Sequence, residues 1–300
     1  MGRSRILVYS LWPLLGVLLS ASCFPAFAAN ASGPAHGLWV WKSPTILGAP
    51  NGAQALRDFC VSAGVTEVYV SVSASSFAAE EGQLASLIRL LHGANIRVEA
   101  LFSSTDADET GKHRDTLLSH VQGIVAFNKK HSSDRFDGIH LDVEPWQRPE
   151  NKGAGNLQFL PGLIDAYRAA VAIAQPAGVT VNADIQSKLL KGSLSQRQAL
   201  LSSVPRLTLM MYELTSPTDG KTADQKAEQV ADASEKYLAM TYDGVSGSNL
   251  AKMAIALRTT DYGDLMQQMF ANLDDANKAN SHYFGWAWQS YSDTLQTTNK

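Results

Sequence analysis

A single-domain α/β protein folded as a (β/α)8 barrel is predicted from three observations. Eight short β-branched or aromatic runs recur along the chain, longer segments with apolar residues at helical spacing separate them, and the links after the runs are longer and more polar than the links before them. The runs are GLWVW (37–41), EVYVSV (67–72), RVEALF (97–102), GIHLDVE (138–144), VTVNADI (179–185), RLTLMMY (206–212), MAIALRT (253–259) and YFGWAWQ (283–289). Each has the length and composition of a buried strand. Between most of them lie amphipathic stretches: AQALRDFCVSA, GQLASLIRLLHGA, RDTLLSHVQGIVAFNKKH, LPGLIDAYRAAVAIAQ and DLMQQMFANLDDANKAN.

The links from helix to strand, such as SAGVT, HGANI and QPAG, are tight and turn-rich. Those from strand to helix, such as KSPTILGAPNG, SSTDADETGKH, PWQRPENKGAGN, QSKLLKGSLSQ and ELTSPTDGKTAD, are long. In a parallel barrel the long links all emerge at the C-terminal face, where such folds keep their sites. An open doubly wound sheet would share the alternation, but no Gly-rich phosphate turn follows the first run.

Residues 1–28 read as an export signal. Arg3 and Arg5 precede an apolar run, ILVYSLWPLLGVLL, which ends near the small-x-small sequence Ala26-Phe27-Ala28. The mature barrel domain is then expected to occupy 29–300, exported to a periplasm or the medium, without stable membrane insertion after cleavage. Cys23 suggests a lipid anchor, but Ser20 stands where a Leu is usual, so free export is expected. About 270 residues remain, the usual size of one such barrel. Only Cys60 survives cleavage, so no internal disulfide is available, and its place in a helical stripe makes it a small core residue. The net charge of -3 and the scatter of Lys and Arg argue against a nucleic-acid surface. The oligomeric state is not legible.

The stretch FDGIHLDVEPW (136–146) carries the chemistry. Strand alternation places His140, Asp142 and Glu144 on one side and Ile139, Leu141 and Val143 on the other. The apolar set suits the helix layer, so the polar set points into the axis, with Glu144 at the C-terminal lip. An uncompensated carboxylate there costs several kcal/mol, which predicts a shared proton or a raised pKa, the condition of a general acid.

DGIHLDVE resembles the D-G-x-D-x-D-x-E signature on the fourth strand of family 18 glycoside hydrolases, the chitinases and their relatives. MMYE (210–213) is similar to their sixth-strand M-x-Y-[DN], and WAWQ (286–289) to the eighth strand that supplies a tryptophan to the sugar floor. The resemblance implies a glycan-cleaving barrel in which Glu144 donates the proton, Asp142 turns toward a substrate 2-acetamido group and Tyr212 hydrogen-bonds that group. It also implies that the acetamido oxygen acts as nucleophile and that Trp288 is the sugar platform. Three departures stand out: His140 replaces an aspartate, VEALFSS replaces the third-strand S-x-G-G, and Glu213 replaces the sixth-strand Asp or Asn.

Trp41, Trp146 and Trp288 suit a cleft whose floor stacks on sugar rings. Asn182 and Asp184 form a second inward ladder suited to sugar hydroxyls or to neutralising Arg258, and His140 adds a further polar contact. The expected partner is a polysaccharide or oligosaccharide. No cofactor or metal is expected, because the histidines lack ligand spacing, and no Gly-x-Ser-x-Gly elbow is present. Two alternatives stay open: a silent barrel that binds carbohydrate or protein, and a two-carboxylate glycosidase pairing Glu144 with Glu99 or Glu213 on neutral sugars.

Overall fold

The computed structural model describes residues 34–153, 155–212, 214 and 220–293. The expected export signal, Cys23 and Glu213 lie outside them. Eight parallel strands close into a barrel: β1 (Ala35–Val40), β2 (Glu67–Ser71), β3 (Arg97–Ser104), β4 (Gly138–Val143), β5 (Thr180–Gln186), β6 (Arg206–Met210), β7 (Lys252–Arg258) and β8 (Tyr283–Gln289). Each pairs with the next in sequence, and β8 returns to β1 through Ala35↔Gly285 and its neighbours. All eight lie where the apolar runs predict them.

The helices are α1 (Ser43–Gly48), α2 (Gly52–Ala63), α3 (Ala74–Ala79), α4 (Glu81–His92), α5 (Lys112–Lys130), α6 (Leu160–Ala174), α7 (Leu194–Leu201), α8 (Ala223–Tyr242), α9 (Thr259–Tyr262) and α10 (Met266–Asn277). The link after β1 is less irregular than its composition suggests, because Pro44 in the first turn of α1 starts a helix there. Reciprocal capping boxes, Ser193 with Gln196 and Thr222 with Gln225, fix the starts of α7 and α8. None of the helices among the described residues is long and apolar enough to cross a membrane.

The core divides into two shells. Between barrel and helices pack residues such as Ile139, Leu141, Val143, Val98 and Leu207, all fully buried. Cys60 belongs to this shell, and burial pushes its thiol up to about 12, consistent with a small hydrophobe. Inside the barrel the filling is polar and aromatic. Gly37 makes this possible on β1: a Cβ there would lie 2.2 Å from the Tyr69 hydroxyl. Gly138 does the same for the Glu99 carboxylate, 3.1 Å from such a Cβ.

At β8 the pleat changes phase. Tyr283 bonds Asp274 of α10 and so faces the helices, whereas Phe284 lies under Arg206 in the axis. The register slips between Met253 and Ala254, opposite Gly285, whose φ of +136° only glycine tolerates well. Beyond this bulge Trp286 faces outward again, stacked on Phe270 of α10 at 3.8 Å.

Candidate active site

The axis is best followed from its floor. Arg206 reaches in from β6 and donates Nη1 to Glu67 Oε2 and Nη2 to Glu99 Oε1, both at 2.9 Å. Tyr69 donates its hydroxyl to Glu67 Oε1 at 2.5 Å, and Asn182 donates Nδ2 to Glu99 Oε1 at 2.7 Å. Burial works against a charged Glu99, but Arg206 and His140 prevail and hold its carboxyl down at about 2.

His140 forms the next layer, 0% exposed. Its Nδ1 lies 3.1 Å from Glu99 Oε2 and its Nε2 2.7 Å from Asp184 Oδ1. With both ring nitrogens facing carboxylates, the doubly protonated form satisfies both bonds. Burial alone would lower its pKa, yet Asp184 and Glu99 outweigh that and raise it to about 9. Tyr69 stacks on one face of the ring, and Trp39 meets it edge-on at 5.7 Å.

Asp142, Asp184, Glu144 and Tyr212 make the upper layers. Burial, then the charges of Asp184 and Glu144, raise the Asp142 carboxyl well above its ordinary value, against a hydrogen bond from Ser103. Glu144 is half-buried at the end of β4, where a short 3-10 turn begins at Pro145. Burial first and Asp184 second push its carboxyl up to about 7, opposed by a hydrogen bond from Trp146, and Gln147 donates to its Oε2. Tyr212 lies under the Arg258 guanidinium, 4.9 Å from its ring, and Arg258 is itself paired with Asp261 at 3.0 Å. Asp142 Oδ1, Asp184 Oδ2 and the Tyr212 hydroxyl are buried without a hydrogen-bond partner.

Glu144, Asp142, Tyr212 and Asp184 thus gather at the C-terminal mouth, with Trp41 half-buried just past β1 and Trp146 6% exposed beside Glu144. Five expectations need correction. Trp288 is not a sugar platform: it is 7% exposed, packed against Phe59 of α2 and Phe270 of α10, with its indole N–H donated to Thr259. The bulge at Gly285 turned it to the helix side. His140 cannot touch a substrate, since Tyr69 covers it and both nitrogens are engaged. Asn182 is spent on Glu99, a layer below the mouth. Glu99 is likewise no second catalytic carboxylate, being fully buried against Arg206, Asn182 and His140. Arg258 pairs with Asp261 instead of neutralising Asp184.

The strand alternation that singled out β4 also points Glu67 and Tyr69 inward on β2, and Arg206 and Thr208 on β6. Applied to every strand but β8, where the bulge reverses it, it finds the axis. Off the axis, a cavity of about 1080 Å³ opens against α5, lined by Phe77, Phe102, His120 and Phe127, and extends to Ser103. No group of three or more metal-ligating side chains occurs among the described residues.

No family model and no curated protein sequence matches the chain. Solved structures share its fold. A chitinase from Chromobacterium violaceum is 12% identical with a TM-score of 0.52, over 89% of this chain and 100% of that one. The PgaB (BpsB) glycoside hydrolase domain from Bordetella bronchiseptica is 11% identical with a TM-score of 0.51, over 89% and 97%. A D-psicose 3-epimerase from Clostridium cellulolyticum H10 is 10% identical with a TM-score of 0.50, over 85% and 83%. Hydrolases and an epimerase share this scaffold, so scaffold alone does not select the reaction. The chain is a closed (β/α)8 barrel with the fold of chitinases and related glycoside hydrolase domains, distant from them in sequence.

Proposed function

We propose that this chain is an exported glycoside hydrolase acting on a polysaccharide that contains N-acetylated amino sugars, with Glu144 as proton donor. One observation carries the reading. Glu144 stands half-buried at the barrel lip with its carboxyl pushed up to about 7, so it holds a proton near neutrality and releases it readily. As the glycosidic bond breaks, its electron pair stays on the leaving oxygen, which takes the Glu144 proton. The acetamido carbonyl oxygen closes on the anomeric carbon. Water then opens that ring, leaving hydroxyl on the carbon and returning a proton to Glu144.

Two unmet polar atoms support the acetamido route. The buried Tyr212 hydroxyl is a free donor for the acetamido carbonyl, and Asp142 Oδ1 accepts its N–H once Asp142 turns toward the sugar. Trp41, half-buried at the mouth, supplies the apolar floor. A second reading, a barrel that binds glycan without cleaving it, is favoured by His140 standing where the resembling signature has an aspartate.

The test is release of reducing ends from a panel of amino-sugar and neutral polysaccharides. Wild type is expected to cleave an N-acetylated member, and Glu144→Gln to lose at least about 100-fold in rate at unchanged Tm. Retention on an insoluble glycan without cleavage would establish the binding reading instead. Export is checked by N-terminal sequencing of the secreted chain, expected to start near Ala29.

A further inference from the structure

The fourth strand carries a histidine where its signature would place a carboxylate beside Asp142, so the axis needs another partner for that acid. Strand register supplies one. β4 and β5 pair as Ile139↔Val181, His140↔Asn182 and Leu141↔Ala183. Continued by one residue, this puts Asp184 next to Asp142, on neighbouring strands about 4.8 Å apart. Both side chains point inward and both are buried. Each keeps one oxygen without a hydrogen-bond partner, Oδ1 on Asp142 and Oδ2 on Asp184. A single proton between the two carboxyls satisfies both orphans at once.

We propose that Asp184 is the positioning residue that shares a proton with Asp142, with His140 as the cation that anchors Asp184 from below. This rests on the reading of Asp142 as a substrate-facing group, but its geometry belongs to the free protein. Charge balance points the same way. Among the described residues Arg206 and His140 are the buried cations of the axis, and Glu67, Glu99 and Asp184 already outnumber them. A fourth charged carboxylate at Asp142 would be buried without compensation, so Asp142 keeps its proton.

The groups that face the pair come from every side. His140 lies below Asp184 at 2.7 Å, and the Trp39 indole also hydrogen-bonds it. Tyr167 of α6 donates to the Asp184 backbone carbonyl at 3.1 Å. Ser103 bonds Asp142 from β3. Above lie Glu144, whose charge opposes ionisation of Asp142, and Tyr212, which Arg258 covers.

The test is 13C-carboxyl NMR titration of aspartate-labelled protein without ligand, assigned with Asp142→Asn and Asp184→Asn. In wild type Asp142 is expected to be protonated at neutral pH and the two carboxyls to titrate as a coupled pair. Asp184→Asn should move the Asp142 titration down by at least about one pH unit. If that variant does not fold, Asp142→Ala reads the same coupling, because Asp184 loses the proton it shares and its titration should then rise. An Asp142 ionised at neutral pH, or a titration that neither substitution moves, overturns the proposal. A coupled pair in a protein that cleaves no glycan would defeat the proposed function alone; an active enzyme with uncoupled carboxyls would defeat this inference alone.

Discussion

The imidazole of His140 lies flat against the phenol of Tyr69, with centroids 3.7 Å apart and planes at 17°. This stack seals the ring on one face while Glu99 and Asp184 hold its two nitrogens, so the histidine is a fixed cation of the barrel axis. The substitution that distinguishes this fourth strand from its resembling signature therefore reorganises the charge beneath the acids and leaves Asp142 and Glu144 at the mouth.

That cation sets a dependence of stability on pH. The folded-state pKa of His140 is raised to about 9 from an ordinary 6.5, so its contribution is complete below 6.5 and is lost as pH rises through 9. The interval corresponds to about 3 kcal/mol, or roughly 5–10 °C in Tm for a chain of this size. Asp142 and Glu144, also raised, add in the same direction from lower pH. Calorimetry is expected to show Tm falling from about pH 6 to about pH 9.5, with a shallower slope in His140→Gln; a flat wild-type profile would contradict a buried imidazolium.

Catalysis should follow Glu144. A general acid must enter the reaction protonated, so kcat/KM is expected to be level on the acid side and to fall as pH rises through about 7. A rate that instead climbs through that range would make Glu144 a base, and the acetamido route would fall with it.

Much of this was legible in the sequence, for identifiable reasons. Strand positions followed from apolar runs, and the inward direction of Asp142 and Glu144 from a period of two. Trp288 was not legible, because a bulge reverses that period and its only signal is Gly285 following Phe284 in an otherwise aromatic strand. Asn182 was misplaced by height, not by face: alternation gives direction but not depth, and Asn182 lies a layer below Asp184. The partnership of Asp142 with Asp184 needed the register between two strands, which one strand's pattern does not contain.

The tryptophans separate floor from core. Trp288→Ala empties a site packed by Phe59 and Phe270 and is expected to cost about 3–5 kcal/mol of stability, with little change in glycan affinity for the protein that remains folded. Trp41→Ala, half-buried at the mouth, should do the reverse: near-native Tm, with affinity weakened at least about fivefold, as loss of one stacking contact implies. Paired calorimetry and glycan titration check both, and a Trp41→Ala protein that binds normally would remove Trp41 from the floor.

The bottom of the axis offers a test of whether its ions hold the barrel or merely fill it. Arg206→Leu leaves Glu67 and Glu99 buried and facing each other with their main cation gone, and Asn182 and His140 bond only one of them. Breaking a buried pair from one side in this way costs about 3–5 kcal/mol, far more than the pair contributes over an apolar filling. Arg206→Leu combined with Glu67→Gln removes one of the stranded charges and keeps the Tyr69 hydroxyl a partner. The double variant is therefore expected to be more stable than Arg206→Leu alone, with a midpoint of urea unfolding between that variant and wild type. If adding Glu67→Gln lowers the midpoint further, the penalty of Arg206→Leu comes from lost packing around Tyr69 and Phe284, not from the uncompensated carboxylates.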